Sequence, residues 1–209
     1  MVKHIEQSIF NAVKGISNLT EYELNVKGFS TPTIRHLFNN LCNIDGQYLE
    51  VGLYCGATFC SSFNNNLISI GIEDFSQPFG NDSVKEELEI NVKNCSKNAK
   101  NVGIIDADCF SVNLNNLSGK FDIFFYDGEH SIESQARVLP YFLPFMKDEF
   151  IFIVDDFNWY DVSQGTLDGF FEIGEKIDII KEWNLIGETP QDDPIWHNGI
   201  AIYLIRKAI

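Results

Sequence analysis

The fold is decided by the stretch Glu50-Val51-Gly52-Leu53-Tyr54-Cys55-Gly56-Ala57-Thr58. Alternating residues from Tyr48 onwards predict a strand that ends at Gly52, and a helix is expected to follow from about Thr58. A turn between a strand and a helix is the place where doubly wound α/β folds bind nucleotides. Gly52 permits a sharp turn there, and Gly56 permits tight packing between the strand and the helix.

This turn is chemically unlike a dinucleotide-binding loop. It has only two glycines, four residues apart, and lacks the third glycine of the GxGxxG fingerprint. An acidic residue, Glu50, precedes the first glycine. A carboxylate at this place repels a phosphate and attracts a cationic ligand. Taken alone, the stretch is equally consistent with an ordinary strand-turn-helix that binds nothing.

The next predicted strand also ends in acidic residues, Gly71-Ile72-Glu73-Asp74. An acidic residue about 20 positions after the glycine turn of such folds hydrogen-bonds the ribose hydroxyls of a bound nucleoside. Glu73 is the candidate for this role, with Asp74 beside it.

A third acidic strand end lies in the stretch Asp106-Ala107-Asp108-Cys109-Phe110. Asp108 is a candidate to face the amino group of an adenine, with Cys109 or Phe110 packing on the ring. Asp106 is open to a plainer interpretation, as a solvated charge at the end of a strand.

The remainder of the chain alternates between strand and helix patterns. This alternation predicts a three-layer α/β sandwich, a mostly parallel seven-stranded sheet with helices on both faces. The last two strands lack a full helix between them, so a C-terminal antiparallel hairpin is expected. Strands are predicted over residues 48–52, 67–73, 102–107, 121–127, 149–155, 177–185 and 199–205, and later helices over 83–98, 132–143 and from 166.

Two motifs together give the chain a family resemblance over roughly residues 46 to 205. The first is Glu-x-Gly-x-x-x-Gly-x-Ser/Thr, at Glu50 to Thr58, and the second is Asp127-Gly128-Glu129-His130-Ser131 after the fourth strand. The chain resembles class I S-adenosylmethionine-dependent methyltransferases, in particular the small-molecule group of macrocin and catechol O-methyltransferases. The resemblance implies a Rossmann-like fold and S-adenosylmethionine as cofactor, bound by residues that include Asp127. Glu73 departs from the Asp that is commoner at its position, and Tyr54-Cys55 is bulkier than many first loops.

The same resemblance suggests a metal ion. Asp127 follows the fourth strand, and Asp155 and Asp156 follow the fifth. Neighbouring parallel strands end at one edge of a sheet, so these carboxylates are expected to converge beside the methyl donor and to repel one another unless a cation or protons intervene. In metal-dependent relatives these positions hold the ion, which implies Mg²⁺ here. Such an ion would hold two acceptor oxygens and lower the pKa of the attacking hydroxyl.

Glu129 and His130 are the candidates for a general base. His130 is also consistent with a residue that makes local hydrogen bonds at the start of a helix, and Asp156 with a helix cap or a loop charge. The acceptor pocket is expected to draw on aromatic residues, although plain packing explains them nearly as well. These residues are Phe157, Trp159, Tyr160, Trp196 and His197.

Length, charge and cysteine content limit the domain organisation, the partners and the compartment that are expected for this protein. The 209 residues fit one domain, with a helical lid or dimerisation segment over residues 1–45 and the core over 46–209, so a homodimer is one expectation. A net charge of −15 argues against nucleic acid and anionic membranes as partners. The five cysteines follow no disulfide or zinc pattern, and no apolar leader is visible, so a cytoplasmic protein with reduced thiols is expected.

The function expected from the sequence is therefore O-methylation of a small hydroxylated metabolite or sugar. One alternative is an NAD(P)-linked oxidoreductase on the same fold, which the missing phosphate loop disfavours. Another is a non-catalytic binding protein that retains the fold, which the acidic residues after both the fourth and fifth strands disfavour.

Overall fold

The computed structural model describes residues 1–76, 82–96, 99–113, 120–189 and 191–208. The strands form one seven-stranded sheet in the order β3-β2-β1-β4-β5-β7-β6. The strands are β1 (Gln47–Val51), β2 (Ile68–Glu73), β3 (Val102–Asp106), β4 (Phe121–Tyr126), β5 (Met146–Val154), β6 (Ile177–Leu185) and β7 (Ile200–Lys207). The α-helices are α1 (Val2–Val13), α2 (Glu21–Leu24), α3 (Pro32–Leu41), α4 (Ala57–Ser61), α5 (Asp82–Cys95), α6 (Ile132–Phe142) and α7 (Tyr160–Ile173).

The chain divides into two compact units, and the first covers Met1–Cys109. Its strands β1, β2 and β3 pair in parallel. Four of the five residues of β1 are buried, as expected for a strand that is covered on both faces. The register sets Glu73 opposite Asp106, so the acidic ends of β2 and β3 lie side by side.

The second unit covers Phe110–Ile209. Strands β4 and β5 pair in parallel, and β7 runs antiparallel to both β5 and β6. Every residue of the Phe-rich strand β4 is buried. Helices α6 and α7 approach closely because Gly165 and Gly169 face the backbone of α6, and an added Cβ at either glycine would lie 2.6 Å from a carbonyl oxygen.

The predicted fold class is confirmed, including the mostly parallel sheet and the C-terminal antiparallel hairpin. Some boundaries differ: β5 begins at Met146 rather than at residue 149, and α7 begins at Tyr160 rather than near 166. The helix predicted over 83–98 is α5, and residues 97 and 98 lie outside the described part of the chain. In the described ranges, every helix is too short or too polar to cross a membrane.

Candidate functional site

Glu50 is fully buried on β1. Its Oε2 accepts a hydrogen bond from the Tyr48 hydroxyl at 2.5 Å, and its Oε1 accepts one from the Thr58 hydroxyl at 2.6 Å. Tyr48 and Glu50 share one face of β1 because strand side chains alternate with a period of two. Thr58 lies in the first turn of α4. The carboxylate thus joins β1 to α4 and fixes the turn between them.

The turn after Glu50 has left-handed backbone at Gly52 (φ 86°), Tyr54 (φ 48°) and Gly56 (φ 87°). The two glycines adopt this conformation without strain, as the sequence predicts. An added Cβ at Gly56 would also lie 2.8 Å from the Leu88 side chain, so this glycine allows α5 to pack close to the turn. A left-handed tyrosine is strained, and such strain is common where a backbone is shaped for a ligand.

Glu73 holds this turn from the neighbouring strand. Its Oε2 accepts hydrogen bonds from the backbone N–H groups of Leu53 at 2.8 Å and Tyr54 at 2.9 Å, and its Oε1 accepts one from Phe75 at 3.0 Å. An ionised carboxylate has about four acceptor positions. The geometry therefore fixes the Glu73 carboxylate and still leaves it acceptor capacity for a ligand hydroxyl.

The other acidic positions of the first unit are more open to solvent. Asp74 is exposed and accepts a hydrogen bond from a backbone N–H two residues further on. Asp106 pairs with Lys85 at 2.6 Å, with both side chains about half exposed, which fits the solvated strand-end interpretation. Asp108 is exposed and Cys109 is half-buried, so the two adenine-side candidates remain accessible.

Phe110, the other residue expected to pack on the adenine, is held by helix α6. The Arg137 guanidinium lies 4.1 Å from the centre of its ring, and the Tyr141 ring meets it edge-on at 5.5 Å. The Tyr141 hydroxyl also donates to the carbonyl of Val112 at 3.0 Å. Arg137 and Tyr141 thus anchor the segment that begins at Phe110.

A segment before α3 that no sequence pattern predicts packs against the glycine turn. The Phe29 ring stacks on the Tyr54 ring with centroids 5.2 Å apart, and the Lys27 ammonium lies 5.4 Å from the same ring centroid. Gly28 packs so closely that an added Cβ would lie 2.4 Å from the Cβ of Ala57. No periodic pattern signals such a contact, because the segment belongs to no helix or strand.

The second unit brings Asp127, His130 and Asp156 together, with one ligand atom of each within 4.8 Å of the others. His130 Nε2 lies 3.0 Å from Asp156 Oδ2 and 3.7 Å from Asp127 Oδ1. Burial alone would lower the pKa of His130, but the two neighbouring carboxylates outweigh burial and raise that pKa to about 10. An imidazolium here neutralises part of the negative charge of the cluster.

Asp155 adds a third, buried carboxyl group beside this cluster. Burial is the main factor that raises its pKa, and the negative charges of Asp127 and Asp156 raise it further. Its Oδ1 is buried and has no hydrogen-bond partner among the described residues. A buried polar atom without a partner costs free energy, and a hard cation is one way to satisfy a carboxylate oxygen. Asp127 and Asp156 thus offer carboxylate oxygens close enough to share a divalent cation, and the buried Asp155 carboxyl, the third residue of the predicted set, lies beside them.

Glu129, the other candidate base, is exposed and serves the start of α6. It accepts hydrogen bonds from the backbone N–H and the hydroxyl of Ser131, which is the N-cap residue of α6. Burial opposes the shift, but the hydrogen bonds of Ser131 and Ser134 lower the pKa of Glu129. A carboxylate with a lowered pKa is a weaker base, and the hydrogen bonds of Glu129 tie it to the start of α6, whereas His130 lies in the cluster with Asp127 and Asp156.

Aromatic and loop residues flank the cluster within the second unit. The Trp159 ring meets the His130 ring edge-on at 5.1 Å and is 37% exposed, so it is available to a ligand. Tyr160 is exposed, whereas Trp196 is buried and therefore packs in the protein. Asn198, in the loop before β7, donates a hydrogen bond to Asp156 at 2.7 Å, a contact that no sequence pattern predicts.

Comparison with known proteins places the fold in a defined group. Neither a protein-family model nor a curated protein sequence matches the chain. Among solved structures, it is similar to the O-methyltransferase from Bacillus cereus in complex with SAH (TM-score 0.62, 12% identity, 98% of this chain and 91% of that one). It is also similar to the O-methyltransferase TomG from Streptomyces achromogenes in complex with SAM (TM-score 0.63, 11% identity, 98% of each chain). A candidate RNA methyltransferase from Pyrococcus horikoshii, PH1948, aligns over 100% of both chains at a TM-score of 0.59 and 11% identity. The chain thus has the fold of class I S-adenosylmethionine-dependent methyltransferases.

Proposed function

We propose that the protein is an S-adenosylmethionine-dependent methyltransferase that methylates a hydroxyl group of a small metabolite or sugar, with the help of a divalent cation. The glycine turn braced by Glu50 and Glu73 is the observation that carries this proposal. Structures with the same fold bind SAM or SAH. Those similarities lie at 11–12% identity, so the function rests on the residues of the site.

The donor side of the proposal depends on charge. S-adenosylmethionine carries a sulfonium and an ammonium group, and the turn offers it carboxylates and no phosphate-binding loop. Glu73 is anchored by two backbone N–H groups of the turn, so it can receive a ribose hydroxyl in a fixed geometry. Asp108 is the proposed partner of the adenine amino group.

The acceptor side depends on the cluster after β4 and β5. Asp127, Asp155 and Asp156 would hold Mg²⁺, because oxygen ligands suit a hard cation and the buried Asp155 Oδ1 lacks a partner in the described ranges. When bound, the ion would lower the pKa of the acceptor hydroxyl. Trp159 is available to orient an acceptor, since its ring is partly exposed beside His130.

His130 is the proposed site for the proton released by the acceptor, because a cation held by the neighbouring carboxylates would offset the negative charge that raises the pKa of the imidazole and would leave the ring free to take up a proton. The imidazole is in contact with both Asp127 and Asp156, so a proton that arrives there is stabilised by two carboxylates. Methyl transfer is an in-line displacement at carbon. The remaining work of the protein is therefore to position donor and acceptor and to exclude water.

The test of this function is release of S-adenosylhomocysteine in the presence of a catechol or a sugar diol, with and without EDTA. We expect release that EDTA stops and Mg²⁺ restores. Asp155→Asn should lower the Mg²⁺-dependent rate by about 100-fold or more, because the cation acts on a developing charge. Asp148→Asn, an exposed position at the start of the same strand, is the matched control and should leave the rate unchanged. Activity that is indifferent to EDTA would refute the metal, and no release with any acceptor would refute the function.

A further inference from the structure

Asn198 is a buried side chain in the loop that precedes β7, and both ends of its amide are used. Its Nδ2 donates a hydrogen bond to Asp156 Oδ1 at 2.7 Å, and its Oδ1 accepts one from the backbone N–H of Asp192 at 3.1 Å. The residue is only 7% exposed. The two hydrogen bonds therefore fix the orientation of the amide, with its NH₂ group toward Asp156.

Asp156, the carboxylate that Asn198 contacts, has both of its oxygens engaged. Its backbone has φ 51°, in the left-handed region that few non-glycine residues adopt, although Asp is among those that do so most readily. Its two carboxylate oxygens are engaged on different sides, Oδ1 by Asn198 and Oδ2 by His130 at 3.0 Å. The hydrogen bond from Asn198 thus determines which oxygen faces His130 and Asp127.

The backbone reinforces this side-chain contact. The N–H of Phe157 donates to the carbonyl of Gly199 at 3.0 Å, and the N–H of Asn158 donates to the carbonyl of Asn198 at 2.9 Å. Gly199 has φ 86°, and an added Cβ there would lie 2.7 Å from Asn158 Oδ1. The loop before β7 and the turn after β5 are therefore held in one register at the point where Asn198 meets Asp156.

We propose that Asn198 is a positioning residue that orients Asp156 for cation binding, a role that rests on the proposed function. Carboxylates that ligate metals are themselves hydrogen-bonded, and loss of such an outer partner costs about 10- to 100-fold in metal affinity. Asn198 supplies that outer partner from the loop before β7. The geometry of the cation site thus depends on a residue that lies 42 positions after Asp156 in the sequence.

The experiment uses Mn²⁺ as the probe, with free Mn²⁺ counted by electron paramagnetic resonance in the absence of donor and acceptor. We expect Asn198→Ala to weaken Mn²⁺ binding by about 10-fold or more. Asp193→Asn is the matched control, because Asp193 accepts hydrogen bonds from the backbone of Ile195 and Trp196 at 2.8 Å and so holds the same loop without contact to Asp156. This variant should bind Mn²⁺ as the parent does.

Calorimetric titration of S-adenosylmethionine, without metal, is the second readout. Asn198→Ala should keep the donor affinity of the parent, which a general loss of folding would not allow. If Asn198→Ala does not fold, Asn198→Ser, whose hydroxyl is too short to reach Asp156 at the same distance, is measured in its place and should show the same loss.

Equal Mn²⁺ affinities in the parent and the Asn198 variant would overturn the role of Asn198, as would an equal loss in Asp193→Asn. A parent protein that binds no Mn²⁺ would overturn it too. These results concern the cation alone. Failure of the parent to bind S-adenosylmethionine would instead overturn the proposed function, so the two failures are distinguishable.

Discussion

Glu50 and Glu73 are both acidic residues beside the glycine turn, but they have different roles. Glu50 is fully buried and its two oxygens are hydrogen-bonded to hydroxyls of the same unit, so its first effect is on the folding of the turn. Glu73 is half-buried and braces the turn through backbone N–H groups, so it remains available to a ligand. Substitutions at the two positions should therefore differ in kind.

Substitution of Glu50 should show this structural role. Glu50→Ala removes the acceptor of two buried hydroxyl groups, and a lost hydrogen bond to a charged group costs about 1.5–3 kcal/mol. We expect the free energy of unfolding to fall by about 3 kcal/mol, measured by denaturant titration. Glu149→Ala is the control. Glu149 lies on β5 and pairs with the exposed Arg206, so its loss should cost about 0–1 kcal/mol. Equal stability of Glu50→Ala and the parent would contradict the bracing role.

Substitution of Glu73 should act on the donor. We expect Glu73→Ala to weaken S-adenosylmethionine binding by about 10-fold or more in calorimetry, because it removes a charge-assisted acceptor and loosens the turn. Asp106→Ala is matched, since Asp106 lies opposite Glu73 in the sheet register and pairs with exposed Lys85. An affinity loss in Asp106→Ala as large as that in Glu73→Ala would point to a general effect of charge.

At the same scale, the sequence could indicate acidic strand ends but not the partners of each side chain. The alternation of β1 places Tyr48 and Glu50 on one face, but it does not show that the two side chains hydrogen-bond to each other. The role of Asn198 could not be predicted from the sequence, because Asn198 and its partner Asp156 are 42 residues apart. Such contacts are created by the sheet topology, and no local pattern encodes them.

At the scale of elements, helix–helix contact in the second unit depends on glycines. Gly165 and Gly169 lie on α7 against the backbone of α6, with no room for a methyl group. Gly165 also explains why the sequence pattern places the start of α7 near residue 166 and not at Tyr160, because glycine weakens a helix pattern. By contrast, the start of α2 carries a capping box of Thr20 and Glu23, a local pattern that a sequence can show.

Substitution of Gly169 tests this contact by the sign of its effect. Helix propensity alone predicts that Gly169→Ala stabilises the protein by about 1 kcal/mol. The close approach to Ala136 predicts instead a loss of about 1–3 kcal/mol, since overpacking forces backbone shifts. We expect the loss, in denaturant titration. Leu167→Ala, an exposed position of the same helix, should change stability little, and a stabilised Gly169→Ala would show that the helices have room to separate.

At the scale of the whole molecule, charge separates two classes of acceptor. The net charge of −15 opposes a polyanion, although one similar structure is a candidate RNA methyltransferase. Proteins that bind nucleic acid non-specifically do so through cationic surface and lose affinity as salt rises. We expect no retention of transfer RNA in a filter-binding assay at low salt, up to about 100 μM protein. Salt-sensitive retention at micromolar concentration would contradict a small-molecule acceptor.

The central claim is that the glycine turn braced by Glu50 and Glu73 binds S-adenosylmethionine. Calorimetric titration of the parent protein with S-adenosylmethionine, S-adenosylhomocysteine, NADH and NADPH tests it most directly. We predict one saturable site for each of the two adenosyl sulfur compounds and no binding of either nicotinamide nucleotide. Binding of NADH or NADPH, with no binding of S-adenosylmethionine, would contradict the claim.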